Sequence, residues 1–560
     1  MYYFLFTLLF LAIVLGFSLI SSYYGKLRAE EKKLDKIKSK WGKPVNTRRN
    51  FDLIKTYLNA DKSWNRLPDV TAEDIDLKSI FNYIDRTSSK PGKQYLYKKL
   101  HFPETNLEKL LELDAKVEVI NKDKPNRELI ELQLSKLNNT YAYYIADLFL
   151  KTHESIFVPI MNFYIRFVPL VIIALIVSLV VYPNPISILL LFFFVGYNVV
   201  LHYANKHKIS AYTNSLPQLL IMHNVAVWLV KHSGLEDNES IKNSLKNLLG
   251  LKRSLSIINL ESKLINGAGN LSYAVFQLIK TLFLLEPRIY ASSIKHIERY
   301  REDIEQVYQY VAEIDMLVAI QSVRDGLPYY NKPQFIDADA QMNITDLYHP
   351  LIDKCVTNSL YTRADRGALI TGSNMSGKTT FIKAIAVNTL LAQTLFTSCT
   401  REYKAPFLKI QTSIKTTDSI EEQKSYFQAQ AQSILTIMSR SNEVEQVKSL
   451  VIIDEIFRGT NTIERIAAAK SVLSYITANQ NFVFVSTHDL ELAELLDEDF
   501  AIYSFEDSKS GGSLVFDYKL KEGLLKSRNG IAILESMGYP DSVIEDANIV
   551  SERMMLKYME

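Results

Sequence analysis

The rhythm of hydrophobic and polar positions changes near residue 340. Before it, apolar residues recur at helical spacing. Val307, Tyr310, Val311 and Ile314 fall three and four apart, as on one buried stripe. Thr105-Asn106 ahead of Leu107, Leu110 and Leu111 offers a cap followed by the same spacing. Residues 25–156 and 206–330 therefore read as mainly helical. After it, short apolar runs alternate with helical stretches, the pattern of an α/β domain. Ala368-Leu369-Ile370 reads as a strand and Phe381 to Leu395 as the helix that follows. Ser449 to Glu455 and Asn481 to Ser486 read as further strands, the first apolar enough for a buried parallel sheet. Ser513 to Leu520 alternates apolar and polar residues, a strand of a late hairpin. Tyr539 to Glu560 predicts a helix suited to dimerisation.

Two stretches are hydrophobic all round. Tyr2 to Ser22 carries no charge and is followed by Lys26, Arg28, Lys32 and Lys33. About 20 apolar residues cross a bilayer. No Lys or Arg precedes the run, and bulky Tyr23-Tyr24 follow it, which favours an uncleaved anchor over a signal peptide. Phe167 to Tyr203 is split by Pro183-Asn184-Pro185 and reads as a hairpin, with Arg166, Lys206 and Lys208 at its open end. The positive-inside rule then places both flanks, and the α/β domain, on the cytoplasmic side of a cytoplasmic membrane. Leu271 to Leu285, interrupted by Gln277 and Lys280, is too short and polar for a span and reads as a core or interfacial helix. The expected organisation is an anchor at 1–24, a helical region at 25–156, a transmembrane hairpin at 157–205, a helical core and lever at 206–339, and a P-loop domain at 340–560.

The strand ends carry the chemistry. Gly372, Ser373, Asn374, Met375, Ser376, Gly377, Lys378 and Thr379 fit G-x-x-x-x-G-K-[ST] between a strand and a helix, with Thr380 next. Glycines there let backbone N–H groups cradle phosphate oxygens at a helix N-terminus. Lys378 reaches the β/γ-phosphates and Thr379 holds Mg2+. Asp454 and Glu455 end an apolar strand. The first is a metal ligand, direct or through water, and the second the base that orients and deprotonates the attacking water. His488, after the strand ending at Ser486, is placed to sense the γ-phosphate and hydrogen-bond that water.

These residues also carry a family resemblance. Arg366 to Thr371 leads into the Asn-Met-containing phosphate loop. With Asp454 to Thr462 (Asp-Glu-Ile-Phe-Arg-Gly-Thr-Asn-Thr) and Ser486-Thr487-His488, it resembles the ATPase domain of the MutS family. His349-Pro350 and Ser527 to Ala532 are similar too, so the match spans about residues 330–550. Arg86 to Leu96 resembles the start of that family's helical core, and Glu313 to Leu317 its lever helix. The resemblance implies an ABC-like, MutS-type P-loop ATPase using ATP and Mg2+. It implies a homodimer formed through the ATPase domain, with DNA as partner. Ser425, opening Ser425-Tyr426-Phe427-Gln428-Ala429-Gln430, corresponds to the residue that closes the partner's nucleotide site in trans. Gln430 stands where the family has an acid. Residues 25–85 show no counterpart of the family's Phe-x-Glu mismatch wedge.

Composition adds limits. Among 560 residues the formal charge is +2, so no global basic field announces nucleic acid. The local runs Lys90 to Lys93 with Lys98-Lys99, and Lys26 to Lys43, read as lipid-facing or solvated faces, with phosphate contact as the alternative for the first. Two cysteines, Cys355 and Cys399, without metal spacing, point to a reducing compartment. Two other readings stay open: an ATP-driven regulatory module on a membrane protein partner without a DNA role, and an ABC-type transporter ATPase.

Overall fold

The computed structural model describes residues 24–25, 27–63, 65–152, 157–235, 239–250, 278–337, 341–373, 375–415, 426–441, 447–510, 513–524, 531, 534–535 and 537–559. The expected anchor over 1–24 lies outside this set apart from Tyr24. So do residues 271–277 of the 271–285 stretch, Asn374, Ser425 and residues 527–530. The chain divides into two compact units: residues 1–62, 85–98 and 115–323 form one, and residues 63–84, 99–114 and 324–560 form the other.

The first unit is helical. Its labelled elements are α1 (Lys90–Leu100), α2 (Pro159–Val181), α3 (Pro185–His232), α4 (Leu285–Arg299) and α5 (Arg301–Gly326). α5 buries Val307, Val311 and Ile314, as its spacing predicts. Asp315 on α5 accepts hydrogen bonds from the Ser88 N–H (2.8 Å) and from the Ser89 N–H (2.7 Å) and hydroxyl (2.5 Å). The loop entering α1 thereby docks on α5. Gly92 is obligatory there, because a Cβ would lie 2.2 Å from the Asp315 carboxylate.

α2 and α3 form the expected hairpin around Pro183-Asn184. Its base packs Val168, Ile172 and Leu201 against Tyr290 and Ile294 of α4. Asn198, fully buried, accepts from the Tyr164 hydroxyl (2.7 Å) and donates to the Leu282 carbonyl (2.6 Å). The rest of the hairpin turns apolar side chains outward, with Ile160 78%, Val180 80%, Leu189 72% and Phe192 73% exposed. Pro159–Val181 and Pro185–Asn205 are long and apolar enough to cross a membrane, by length and composition.

Several expectations change here. The boundary at 205/206 falls inside α3, which runs on to His232 because helical residues continue without a stop signal. The 25–156 region is not one unit, since 63–84 and 99–114 pack with 324–560. The division near 339/340 lies at 323/324. The basic run at 90–99 faces neither lipid nor phosphate through Lys93 or Lys98. Lys93 is buried against Asp85 (2.5 Å), which also takes Arg49 (2.8 Å), and Lys98 pairs with Asp61 (2.8 Å).

The second unit holds two sheets. Four strands, β1 (Gln334–Phe335), β2 (Met342–Leu347), β3 (Asn358–Thr362) and β5 (Glu402–Ala405), run in the order β1-β5-β2-β3. The larger sheet uses β4 (Gly367–Gly372), β6 (Leu408–Ser413), β7 (Lys448–Asp454), β8 (Phe482–Ser486), β9 (Phe500–Ser510) and β10 (Ser513–Glu522). Its order is β10-β9-β4-β8-β7-β6, parallel except for the antiparallel β9–β10 hairpin. Helices α6 (Lys378–Leu395), α7 (Tyr426–Ser441), α8 (Thr462–Ala478) and α9 (Asp541–Met559) complete it. Leu369, Val451, Ile453, Val483 and Val485 of the sheet pack with Leu473 and Ile476 of α8. The register aligns Ser486 with Ile370 on one side and Asp454 on the other, so three C-terminal strand ends meet at one level. Such strand ends are where open α/β sheets bind ligands. The early segment adds to this unit: Asp74 accepts from the Thr412 hydroxyl (2.7 Å) and from the N–H groups of Ile414 and Lys415, closing the end of β6.

Candidate nucleotide site

Between β4 and α6 the chain turns through Gly372 (φ +145°) and Gly377 (φ +104°). A Cβ on Gly372 would come within 2.8 Å of the Phe505 carbonyl, so only glycine fits. α6 starts at Lys378, earlier than the apolar pattern alone suggests, because its first turn is the phosphate loop itself. Lys378 is buried and donates to the carbonyls of Gly372 (2.7 Å) and Ser373 (2.8 Å). Burial pulls its pKa down to about 8; Asp454 opposes that shift and Arg458 adds to it. The Ser376 hydroxyl donates to the Ser373 carbonyl (2.8 Å), while Met375 projects outward. The buried Ser373 hydroxyl has no hydrogen-bond partner among the described residues.

Asp454 joins three elements. One carboxylate oxygen accepts from the Thr379 hydroxyl on α6 (2.8 Å), and the other from the Ser486 hydroxyl at the end of β8. Glu455 leaves the strand at φ +52°, so β7 ends at Asp454 and not at Glu455 as expected. Its side chain is almost buried, ion-paired with Arg458 and 3.0 Å from His488 Nδ1. His488 has its pKa lowered, chiefly by burial. Asp489 opposes this, and Arg465, Arg458 and Lys378 add to it. Neutral His488 therefore donates from Nδ1 to the Glu455 carboxylate, which can only accept. His488 thus faces Glu455.

A cavity of about 500 Å³ opens beside the loop, lined by His349, Ile352, Phe381 and Tyr518 together with Gly377, Lys378, Thr379 and Thr380. Its size suits a nucleotide. Burial, with Lys383 nearby, lowers the His349 pKa to about 4, so this imidazole is neutral. Tyr518 lies over the loop: a Cβ on Gly377 would sit 3.3 Å from its ring. The donor set fits Mg2+ held by few protein oxygens alongside phosphates. Thr379 and Asp454 would hold it. No cluster of three His, Cys, Asp or Glu residues occurs among the described residues.

Ser486 and Arg458 stand in the motifs, and Tyr518 in a strand, but the sequence assigns none of the three a role in the site. Ser486 is placed by strand register and Tyr518 by a hairpin bulge between Phe516 and Leu520, neither of which leaves a spacing signature. Gln430 is buried on α7, and its amide faces Glu455 and Arg458 of its own chain.

Comparison with known proteins agrees with this geometry. Residues 368–555 match the family model of MutS domain V. MutS protein homolog 4 of Mus musculus is 30% identical over 267 residues, covering 45% of this chain and 27% of that protein. The DNA mismatch repair protein MutS of Petrotoga mobilis is 28% identical over 272 residues, covering 47% and 33%. That of Clostridium botulinum is 29% identical over 377 residues, covering 65% and 36%. The matched stretches thus span only about a third of these relatives. The stretch that matches this family model builds the phosphate loop, the Asp454–Glu455 strand end and the β9–β10 hairpin, and it is there that the chain is similar to the MutS family.

Proposed function

We propose that this chain is an Mg2+-dependent ATPase, dimeric through residues 340–560 and held at a membrane by its apolar hairpin, that couples nucleotide turnover to its helical arms. One observation carries the ATPase reading. Asp454 collects the hydroxyls of Thr379 and Ser486 beside a Glu455 that is held by His488. Bound Mg2+ supplies charge neutralisation at the transferring phosphoryl group. The chain's own residues do the rest. Loop N–H groups and Lys378 bind the phosphate oxygens. Glu455 accepts a proton from the attacking water, and His488 keeps its carboxylate oriented. Arg458, now paired with Glu455, must release it for that step.

The membrane reading rests on the outward apolar surface of α2 and α3, which water would not tolerate over such a contiguous area. Arg166, Lys206 and Lys208 at the hairpin's open end support a cytoplasmic ATPase by the positive-inside rule. DNA as partner comes from the relatives that are named DNA mismatch repair proteins. A second reading, regulation of a membrane protein without DNA, is favoured by the internal pairing of Lys93 and Lys98, which takes those two charges out of play for phosphates.

The deciding experiment is ATP hydrolysis by the purified full chain in detergent, with homoduplex, mismatched or branched DNA, and Glu455→Gln as blank. Binding should persist in the variant while turnover falls by roughly 10²-fold or more. Near-normal hydrolysis in the variant removes Glu455 as base. Turnover insensitive to DNA, with no salt-dependent duplex binding, moves the reading to the second partner class.

A further inference from the structure

Glu455 stands on a turn that the backbone does not favour. The chain has φ of +52° at Glu455, +59° at Phe457 and +93° at Gly459. Left-handed backbone at non-glycine residues persists where neighbours impose it. The Glu455 N–H donates to the Ser486 carbonyl at 2.9 Å, and the Phe457 ring packs against Phe427 at 5.7 Å between centroids. The remaining hold is Gln430. Its Nε2 donates to the Glu455 carbonyl (2.9 Å), and its Oε1 accepts from the Arg458 N–H (3.0 Å). One primary amide closes across the turn and satisfies both backbone groups. The partners fix its orientation, since a carbonyl only accepts and an N–H only donates.

We propose that Gln430 is a positioning residue for Glu455. Its amide sets the turn from which the carboxylate reaches the attacking water, and a glutamate there could do so only when protonated. The inference rests on the ATPase reading above. A carboxylate at 430 has no hydrogen for the Glu455 carbonyl and would set negative charge against that oxygen. Gln430 also lies on α7, which begins at Tyr426, directly after Ser425. A shift of this helix reaches the turn through Gln430, and through Phe427 on Phe457. Among the described residues, the charged groups facing position 430 are Glu455 and Arg458 on the turn, with His488 beyond them on Glu455. α7 itself carries no charge before Arg440.

The test compares wild type, Gln430→Glu and Gln430→Met as full chains in detergent, from about pH 5.5 to about pH 8.5. Turnover, KM, binding of a fluorescent ATP analogue and thermal melting are read for each. Gln430→Glu should bind nucleotide like wild type but lose on the order of 10²-fold in kcat at alkaline pH, the effect of a small misplacement of a reacting group. Its activity relative to wild type should recover as pH falls through the new carboxyl's titration, which burial moves up from about 4.3. Gln430→Met, with no proton to gain, should be low in kcat at every pH. Should Gln430→Glu not fold, an unchanged kcat in Gln430→Met overturns the proposal. So does a flat Gln430→Glu ratio, or loss of nucleotide binding in step with kcat. Turnover in wild type that Glu455→Gln does not reduce overturns the ATPase reading and this proposal with it. Turnover abolished in Glu455→Gln but untouched in both Gln430 variants overturns this proposal alone.

Discussion

The Thr379 hydroxyl donates to Asp454 across 2.8 Å, joining the first turn of α6 to the end of β7 from 75 residues away in sequence. These two groups would hold the proposed metal, and each keeps the other in place. Thr379→Val removes the hydroxyl and keeps the shape. Nucleotide hydrolysis should fall by about 10- to 100-fold and need more Mg2+ for half-maximal rate. A Mg2+ titration of activity reads both effects.

Lys378 sets a pH dependence. With its pKa at about 8 by burial, it is neutral above that value in the free protein. Nucleotide phosphates need the ammonium, so binding above pH 8 must take up a proton. Calorimetry in buffers of different ionisation enthalpy should show uptake rising towards one proton per nucleotide between about pH 8 and about pH 10, with affinity falling over the same range. Folding follows the opposite sign. The native state holds this proton less tightly than the unfolded chain, so the Lys378 contribution to stability rises from pH 8 towards the ordinary value of 10.5.

Gly92 is tested by one methyl group. Gly92→Ala puts a Cβ against the Asp315 carboxylate that caps Ser88 and Ser89. Overpacking of this kind costs about 1–3 kcal/mol. The melting temperature should fall, most visibly in probes of the helical unit.

Phe193 tests the membrane reading. It faces outward on α3, 64% exposed, near the middle of the apolar hairpin's second arm, Pro185–Asn205. Arginine at a span's centre costs about 2.5–3.5 kcal/mol. Phe193→Arg should shift the protein from a carbonate-resistant membrane fraction towards extractable or aggregated material. A chain that fractionates identically with and without the substitution does not use this hairpin as a span.

The sequence alone determined what local rules determine. Backbone geometry makes the phosphate loop recognisable by its glycines, since few other residues accept the positive φ at Gly372 and Gly377. Parallel strands buried on both faces are continuous apolar runs, so β4, β7 and β8 were legible, as were the split hairpin and the stripe on α5. Tertiary structure decided the rest. Ser486 joins Asp454 through the register of β7 on β8. Asp74 closes β6 from over 330 residues away. Lys93 and Lys98, basic in any sequence reading, are consumed by Asp85 and Asp61. The amide of Gln430 meets the turn of Glu455 through the packing of α7 beside β7. Such pairings depend on which strands and helices become neighbours. Neighbours are chosen by burial of the whole core, a sum over distant residues that no local spacing encodes.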